Sequence, residues 1–238
     1  NTAENLAEMY SIDRESQDKF AAWSQEKTAK AQASGRFDEE IIAVNIPQRK
    51  KDDIIFTKDE FARNGTTMES LGGLRPAFKK EGGTVTAGNA SGLNDGAAAL
   101  LIASEEAVKL NNFKPLARIV GGAVAGVEPR IMGIGPVFAA EKVLKRSGLT
   151  LDQMDIIEVN EAFAAQVLAC TRKMGIADND PRINPNGGAI SLGHPLGMTG
   201  ARILQTAAIE LQKTNKQYAL VSLCIGVGQG YATIIERA

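Results

Sequence analysis

Apolar residues recur at three- and four-residue steps through Ile203, Leu204, Ala207, Ala208 and Leu211, which is the period of a helix with one buried face. Ile156-Ile157-Glu158-Val159 and Ala219 to Leu223 instead run almost unbroken, as strands buried on both sides do. Between these segments the same alternation repeats. Ala117 to Val127 reads as a strand interrupted by Gly121-Gly122, and Val137 to Ser147 as an amphipathic helix stopped by Gly148. Phe163 to Met174 is a second helix, stopped by Gly175, and Tyr231 to Ile235 a last strand. Strands alternating with helices predict a layered α/β fold with its chemistry at strand C-termini.

The first third is less regular. Thr2 caps a helix to about Met9, and Ser11 or Asp13 a second that ends near Ser34-Gly35. A short strand is expected over Ile41 to Val44, bounded by Pro47. Arg49-Lys50-Lys51-Asp52-Asp53 reads as a solvated turn. Thr57-Lys58-Asp59-Glu60 has the form of a capping box opening a short helix to Arg63, and a further turn runs from Thr67 to Leu71. Thr84 to Gly96 is polar, rich in glycine and without period; a small-residue helix is expected from Ala97 to about Leu110. That polar stretch is either a long capping loop or a ligand-lining one.

The chemistry gathers around Asn184 to Arg202, which holds the only histidine, His194, among closely spaced glycines. Glycine lets a backbone turn sharply and approach other atoms, and the loop feeds a helix N-terminus, where an anion is stabilised. A histidine that only braces its own loop is the alternative. Asn160-Glu161-Ala162-Phe163 and Cys224-Ile225-Gly226 each follow a strand, so their side chains converge with His194. Cys, His and Asn together suggest thiol chemistry, with His as base or oxyanion donor and the Gly226 N–H as a second donor. Cys224 as an inert buried thiol, and Glu161 as a carboxylate at a helix start, are the competing readings. Cys170, in mid-helix among alanine and leucine, reads as core.

Composition narrows the class without choosing a reaction. A formal net charge of −1 removes any bulk electrostatic case for nucleic acid or membrane. Two distant cysteines form no metal or disulfide pattern, and no apolar run reaches membrane-spanning length, so a reduced, cytoplasmic setting is expected.

At these residues the chain resembles the thiolase family. Asn160-Glu161-Ala162-Phe163-Ala164, Gly187-Gly188-Ala189-Ile190 with Gly193-His194-Pro195, and Cys224-Ile225-Gly226 look like its C-terminal signature blocks, in the family's order. Gly88 to Gly96 resembles its coenzyme A loop; Leu74 to Phe78 and Gly133 to Pro136 also fit, closest to the biosynthetic acetyl-CoA acetyltransferases. The resemblance implies an α/β/α/β/α layered fold. It divides the chain into a loop domain over 1–90, a remainder of the N-terminal half-domain over 91–127 and a C-terminal half-domain over 128–238. It implies Claisen condensation of two acetyl-CoA to acetoacetyl-CoA and CoA, and the reverse thiolysis. CoA thioesters are then the substrates, with no further cofactor and no metal, in a homodimer or homotetramer. In that scheme His194 activates an acylated cysteine and helps hold the thioester oxygen, Cys224 removes the α-proton, and Asn160 holds a water in the oxyanion hole with Gly226 nearby. Arg63, Ser70, Leu74, Phe78, Ala87, Ser91, Ala162 and Phe163 are implied for the CoA path.

The departures are as informative. The Cys-x-Ser-Gly motif that carries the family's nucleophile is nowhere in the chain, and Val227 and Phe138 replace smaller residues. The chain opens where the family's middle begins, so a fragment, or one of two assembling polypeptides, is expected. A degradative 3-ketoacyl-CoA thiolase and a non-catalytic CoA-binding module are the rival functions.

Overall fold

The computed structural model describes residues 1–238. Its six strands are β1 (Val44–Ile46), β2 (Ile54–Phe56), β3 (Ala117–Gly126), β4 (Ile156–Val159), β5 (Tyr218–Ile225) and β6 (Gln229–Arg237). The α-helices are α1 (Thr2–Met9), α2 (Arg14–Ala33), α3 (Met68–Gly72), α4 (Glu105–Asn111), α5 (Gly135–Ser147), α6 (Ala164–Lys173), α7 (Ala189–Leu192) and α8 (Thr199–Thr214).

Four strands form the central sheet in the order β3-β6-β5-β4. β5 and β6 are an antiparallel hairpin, and β3 lies antiparallel against β6 with a register shift between Ile119 and Gly121. β4 runs parallel to β5, Ile156 opposite Ala219 and Val159 opposite Ser222, so both strands end on one side of the sheet. A parallel pair requires a long crossover, and α6, α7 and α8 supply it.

Side chains alternate between the two faces of a strand. Leu220, Ala232 and Ile234 pack in one cluster with Val137, Ala140 and Val143 of α5 and with Val167 and Leu168 of α6. Ala219, Val221 and Ile235 turn the other way and pack with Ile203, Ala207 and Leu211 of α8. Each buried Leu or Ile contributes about 1.5–3 kcal/mol, which is why these strands read as unbroken apolar runs. Helices α1 and α2 extend the first cluster through Leu6, Phe20 and Ala21. No helix is long and apolar enough to cross a membrane.

Most termini follow their sequence signals. Asp13 caps α2 by accepting the Ser16 N–H at 2.7 Å, and Gly148 ends α5 with φ +70°. Four expectations fail. Thr2 does not cap α1: it is the first helical residue, after Asn1, and no side chain caps that end. The strand expected over Ile41 to Val44 lies at Val44–Ile46, where it pairs with the unexpected β2, the charged run forming their turn. No helix follows Thr57; the Asp59 carboxylate takes the Phe61 N–H at 3.0 Å in a local turn, and the Arg63 N–H goes to Gln25. The helix expected from Ala97 begins only at Glu105, capped by Ser104. Residues 97–104 are exposed throughout, and small-residue propensity without a packed face does not hold a helix.

Candidate active site

The ends of β4 and β5 make the floor of the site. Past β4 the ladder continues one residue: the Asn160 N–H donates to the Ser222 carbonyl at 2.9 Å. Neighbouring strands lie about 4.8 Å apart, so Asn160 stands beside the end of β5, where Cys224 faces Gly230 of β6. The other side of β4 is closed by Asn184. Its Oδ1 accepts the Val159 N–H at 2.8 Å and its Nδ2 donates to the Val159 carbonyl at 2.9 Å, while its own N–H donates to the Ile157 carbonyl at 3.0 Å. The Asn184 side chain thus does what the next peptide of a fifth strand would do.

Glu161 is a brace. Its carboxylate accepts from Ser24 Oγ at 2.7 Å, Asn184 Nδ2 at 2.8 Å and the Ile190 N–H at 3.2 Å. The helix start that it serves is therefore α7, not the α6 that follows it in sequence. Gly188 has to be glycine here, since a Cβ would lie 2.3 Å from the carboxylate carbon.

His194 is delivered by the loop between α7 and α8. Gly193 has φ +83°, and a Cβ there would meet the Asn94 side chain at 2.3 Å. The His194 N–H donates to the Gly92 carbonyl at 3.2 Å, so the glycine-rich loop over 84–96 packs against the histidine loop. On the ring, Nδ1 lies 2.8 Å from Thr199 Oγ1, and that hydroxyl donates to the Pro195 carbonyl at 2.9 Å. With its only proton committed, the hydroxyl accepts, and Nδ1 is the protonated nitrogen. Nε2 then carries a lone pair, 3.2 Å from the amide Nδ2 of Asn160. Burial, and after it the charge of Arg202, lower the imidazole's affinity for a second proton, so the neutral ring presents Nε2 as an acceptor.

The two cysteines differ. Cys170 is fully buried, donates to the Gly133 carbonyl at 3.2 Å, and burial pushes its thiol far up; it belongs to the core. Cys224 is buried at the site floor, and burial pushes its thiol up to about 11, so it rests as a thiol.

The residues implied for the CoA path divide into two groups. Ser91 donates twice to the Ala162 carbonyl, by its N–H at 3.0 Å and its hydroxyl at 3.2 Å. Phe163, next in sequence, meets Phe78 edge-on with ring centroids 6.0 Å apart. Leu74 approaches Gly88 so closely that a Cβ there would sit 2.5 Å from it, which leaves Ala87 exposed alongside. These six lie on, or pack against, the loop that touches His194. Ser70 and Arg63 are outside that set of contacts: the Ser70 hydroxyl completes a capping box with Thr67, and the Arg63 guanidinium makes no ion pair. Gly226 lies in the β5–β6 turn with open space where a Cβ would be. No group of His, Cys, Asp or Glu is placed to hold a metal ion.

Three participants carried no sequence signal of their own. Thr199 holds the ring, Arg202 lies within electrostatic reach of it, and Glu158 is buried on β4. Thr199 and Arg202 stand one helical turn apart on α8, a relation visible only once the start of that helix is known.

Residues 113–237 match the family model described as thiolase, C-terminal domain, and residues 1–106 match thiolase, N-terminal domain. A beta-ketoadipyl-CoA thiolase of Acinetobacter baylyi is 58% identical over 236 residues, 99% of this chain and 59% of that one. An acetyl-CoA acetyltransferase of Allochromatium vinosum is 53% identical over the same shares. The crystal structure of the Bacillus anthracis acetyl-CoA acetyltransferase superposes with a TM-score of 0.95 at 48% identity, covering 100% of this chain and 59% of that one. Human mitochondrial 3-ketoacyl-CoA thiolase gives 0.94 at 51% identity, again over 100% of this chain and 59% of the other. The chain therefore spans 59% of the length of these relatives. It belongs to the thiolase family.

Proposed function

We propose that this chain supplies the enolate-forming and oxyanion-holding part of a thiolase that condenses two acetyl-CoA to acetoacetyl-CoA and CoA, and runs the reverse thiolysis. The observation that carries the reading is the contact between Asn160 Nδ2 and His194 Nε2, with Nδ1 committed to Thr199. A neutral imidazole with Nε2 free of a proton can take one from a thiol. Once it has done so, the same nitrogen is a donor, able to hold a thioester oxygen as charge develops on it.

Cys224 fits the α-proton step. A thiol pushed up to about 11 is a strong base once ionised and a poor nucleophile at rest, because little of it is thiolate at neutral pH. It has to lose its proton first, and a departing CoA thiolate is an acceptor of suitable basicity. That transfer forms CoA and leaves the Cys224 thiolate facing the second acetyl group. The acylated cysteine itself is assigned to neither Cys170 nor Cys224, so acyl transfer needs a polypeptide that supplies it.

A longer or carboxylated 3-oxoacyl substrate is the second reading. It is favoured by the beta-ketoadipyl-CoA thiolase quoted above at 58% identity and by Val227 beside Gly226. One comparison tests both readings: thiolysis of acetoacetyl-CoA, 3-oxoadipyl-CoA and a long-chain 3-oxoacyl-CoA by the complete enzyme containing this chain. Preference for acetoacetyl-CoA supports the first reading. Preference for either larger substrate replaces it with the second, and no thiolysis of any of them by the complete enzyme removes both.

A further inference from the structure

The Glu161 side chain joins the two halves of the Asn160–His194 contact. On one side it is the next residue after Asn160; on the other its Oε2 takes the N–H of Ile190, four residues before His194. From Ile190 to the histidine the backbone is a single closed turn. The Leu192 N–H donates back to the Gly188 carbonyl at 2.9 Å and the Gly193 N–H to the Ala189 carbonyl at 2.8 Å. The strand end that carries the amide and the loop that carries the imidazole are thus tied through one fully buried carboxylate.

Only a carboxylate fits there. Three donors converge on it, Ser24 Oγ and the Ile190 N–H on Oε2 and Asn184 Nδ2 on Oε1. The Asn184 amide cannot turn over, because it brackets both polar groups of Val159. A peptide N–H such as that of Ile190 has no second orientation either. A glutamine of the same shape would therefore set its own amide nitrogen against a donor whichever way it lay.

Helix α2 holds the carboxylate from outside the sheet. Ser24 and Thr28 lie one helical turn apart on it, share a face and are fully buried. The one proton of Ser24 goes to Glu161 at 2.7 Å, and its oxygen takes the Gly188 N–H at 3.2 Å, so this hydroxyl pins the carboxylate to the start of α7. Thr28 reaches the same loop without touching the carboxylate: its hydroxyl lies 2.5 Å from Ser191 Oγ and 3.3 Å from the Asn186 carbonyl.

We propose that Glu161 and Ser24 are positioning residues for the Asn160–His194 contact: the carboxylate sets the distance between amide and imidazole, and the hydroxyl sets the carboxylate. Neither is hydrogen-bonded to the ring. The consequence for acyl transfer rests on the thiolase reading, but the effect on the contact does not.

The test separates position from stability. In the complete enzyme, isotope-labelled histidine gives the Nε2 resonance of His194 by nitrogen NMR, identified by its absence in His194→Asn. Glu161→Gln and Ser24→Ala should move that resonance toward the value of an imidazole lone pair without a donor, while the Nδ1 resonance, held by Thr199, stays as in wild type. In the same variants single-turnover acylation by acetyl-CoA should slow by about 10²-fold, with the half-saturating acetyl-CoA concentration unchanged. Thr28→Val removes the neighbouring hydroxyl and keeps the shape. It should lower the melting temperature as Ser24→Ala does, yet leave the resonance and the acylation rate at wild-type values. An unmoved Nε2 resonance in Glu161→Gln and Ser24→Ala overturns the proposal. So does a Thr28→Val variant that moves it as far as Ser24→Ala, because the effect would then be a general loosening of α7. If Glu161→Gln loses its fold, Ser24→Ala against Thr28→Val decides the matter alone. A wild-type enzyme that does not acylate removes the thiolase reading and leaves the resonance comparison standing, so the two ideas fall separately.

Discussion

Asn160 Nδ2 stands 3.2 Å from His194 Nε2, across 34 residues of sequence. Because Thr199 already occupies Nδ1, the contact fixes which ring nitrogen carries the lone pair. Replacing Thr199 by Val removes the acceptor for Nδ1–H and lets the ring take the opposite tautomer. Acylation of the complete enzyme should slow about 10-fold, and Thr199→Ser should restore it. If Val and Ser variants acylate alike, the hydroxyl does not hold the ring.

His194→Asn should lose acylation more severely than condensation. An amide can donate to an oxyanion but cannot take a proton, so loss of general-base help should cost about 10²–10⁴-fold. Single-turnover rates of each half-reaction, the second begun from pre-acylated enzyme, make the comparison. Equal acylation in mutant and wild type would return His194 to a loop-bracing role.

Cys224→Ser should do the reverse. A serine alkoxide is too basic to be populated at neutral pH, so condensation should fall below detection while the acyl-enzyme still forms on the nucleophilic cysteine that the complete enzyme supplies. Trapping the acyl-enzyme after mixing with acetyl-CoA is the measurement. A mutant that fails to acylate yet condenses normally once acylated contradicts the assignment.

Glu158 makes a prediction about stability. Its carboxyl, pushed up to about 8 by burial, is protonated in the folded protein and ionised in the unfolded chain between the ordinary carboxylate range and pH 8. The folded state binds the extra proton there, so stability is fully present below the unfolded value and declines as pH rises toward 8. The melting temperature should fall by several degrees from about pH 5 to pH 8, and Glu158→Gln should flatten that decline. An identical slope in the two proteins would mean that Glu158 ionises with no cost in the fold.

Much of this site is legible in the amino-acid sequence. The glycines around His194, the Asn160 block and Cys224 after an apolar strand are each marked by local chemistry, and parallel β4 and β5 do bring two of them side by side. What is not legible depends on packing. Ala97 to Ser104 has the composition of a helix but no partner face, so it joins no regular element. Glu161 sits just before α6 in sequence yet braces α7, because Asn184 and Ser24 reach it from elsewhere in the fold. Thr199 carries no motif of its own; it matters only because the first turn of α8 sets its hydroxyl 2.8 Å from Nδ1 of His194.

Val227 is the one β-branched residue held at positive φ, +68°, in the turn between β5 and β6, and it is 85% exposed. That conformation costs a residue with a Cβ about 1–2 kcal/mol, and no contact of the side chain offsets it. Val227→Gly should raise the melting temperature by about 2–4 °C while relaxing the turn that carries Gly226. An unchanged or lower melting temperature would show that the greater freedom of glycine in the unfolded chain cancels the gain.

Asn184 has one more implication. A sheet ordinarily ends in a row of unsatisfied peptides, an invitation for a foreign strand to add and for the margin to fray. Here a single carboxamide completes that row beside Val159, immediately before the residue that meets the imidazole. The Val159 amide should therefore exchange with deuterium only when the whole molecule opens, although it lies in the shortest and outermost strand of the main sheet. Asn184→Asp, which swaps one donor for an acceptor and leaves the shape intact, should turn that protected margin into a freely breathing one.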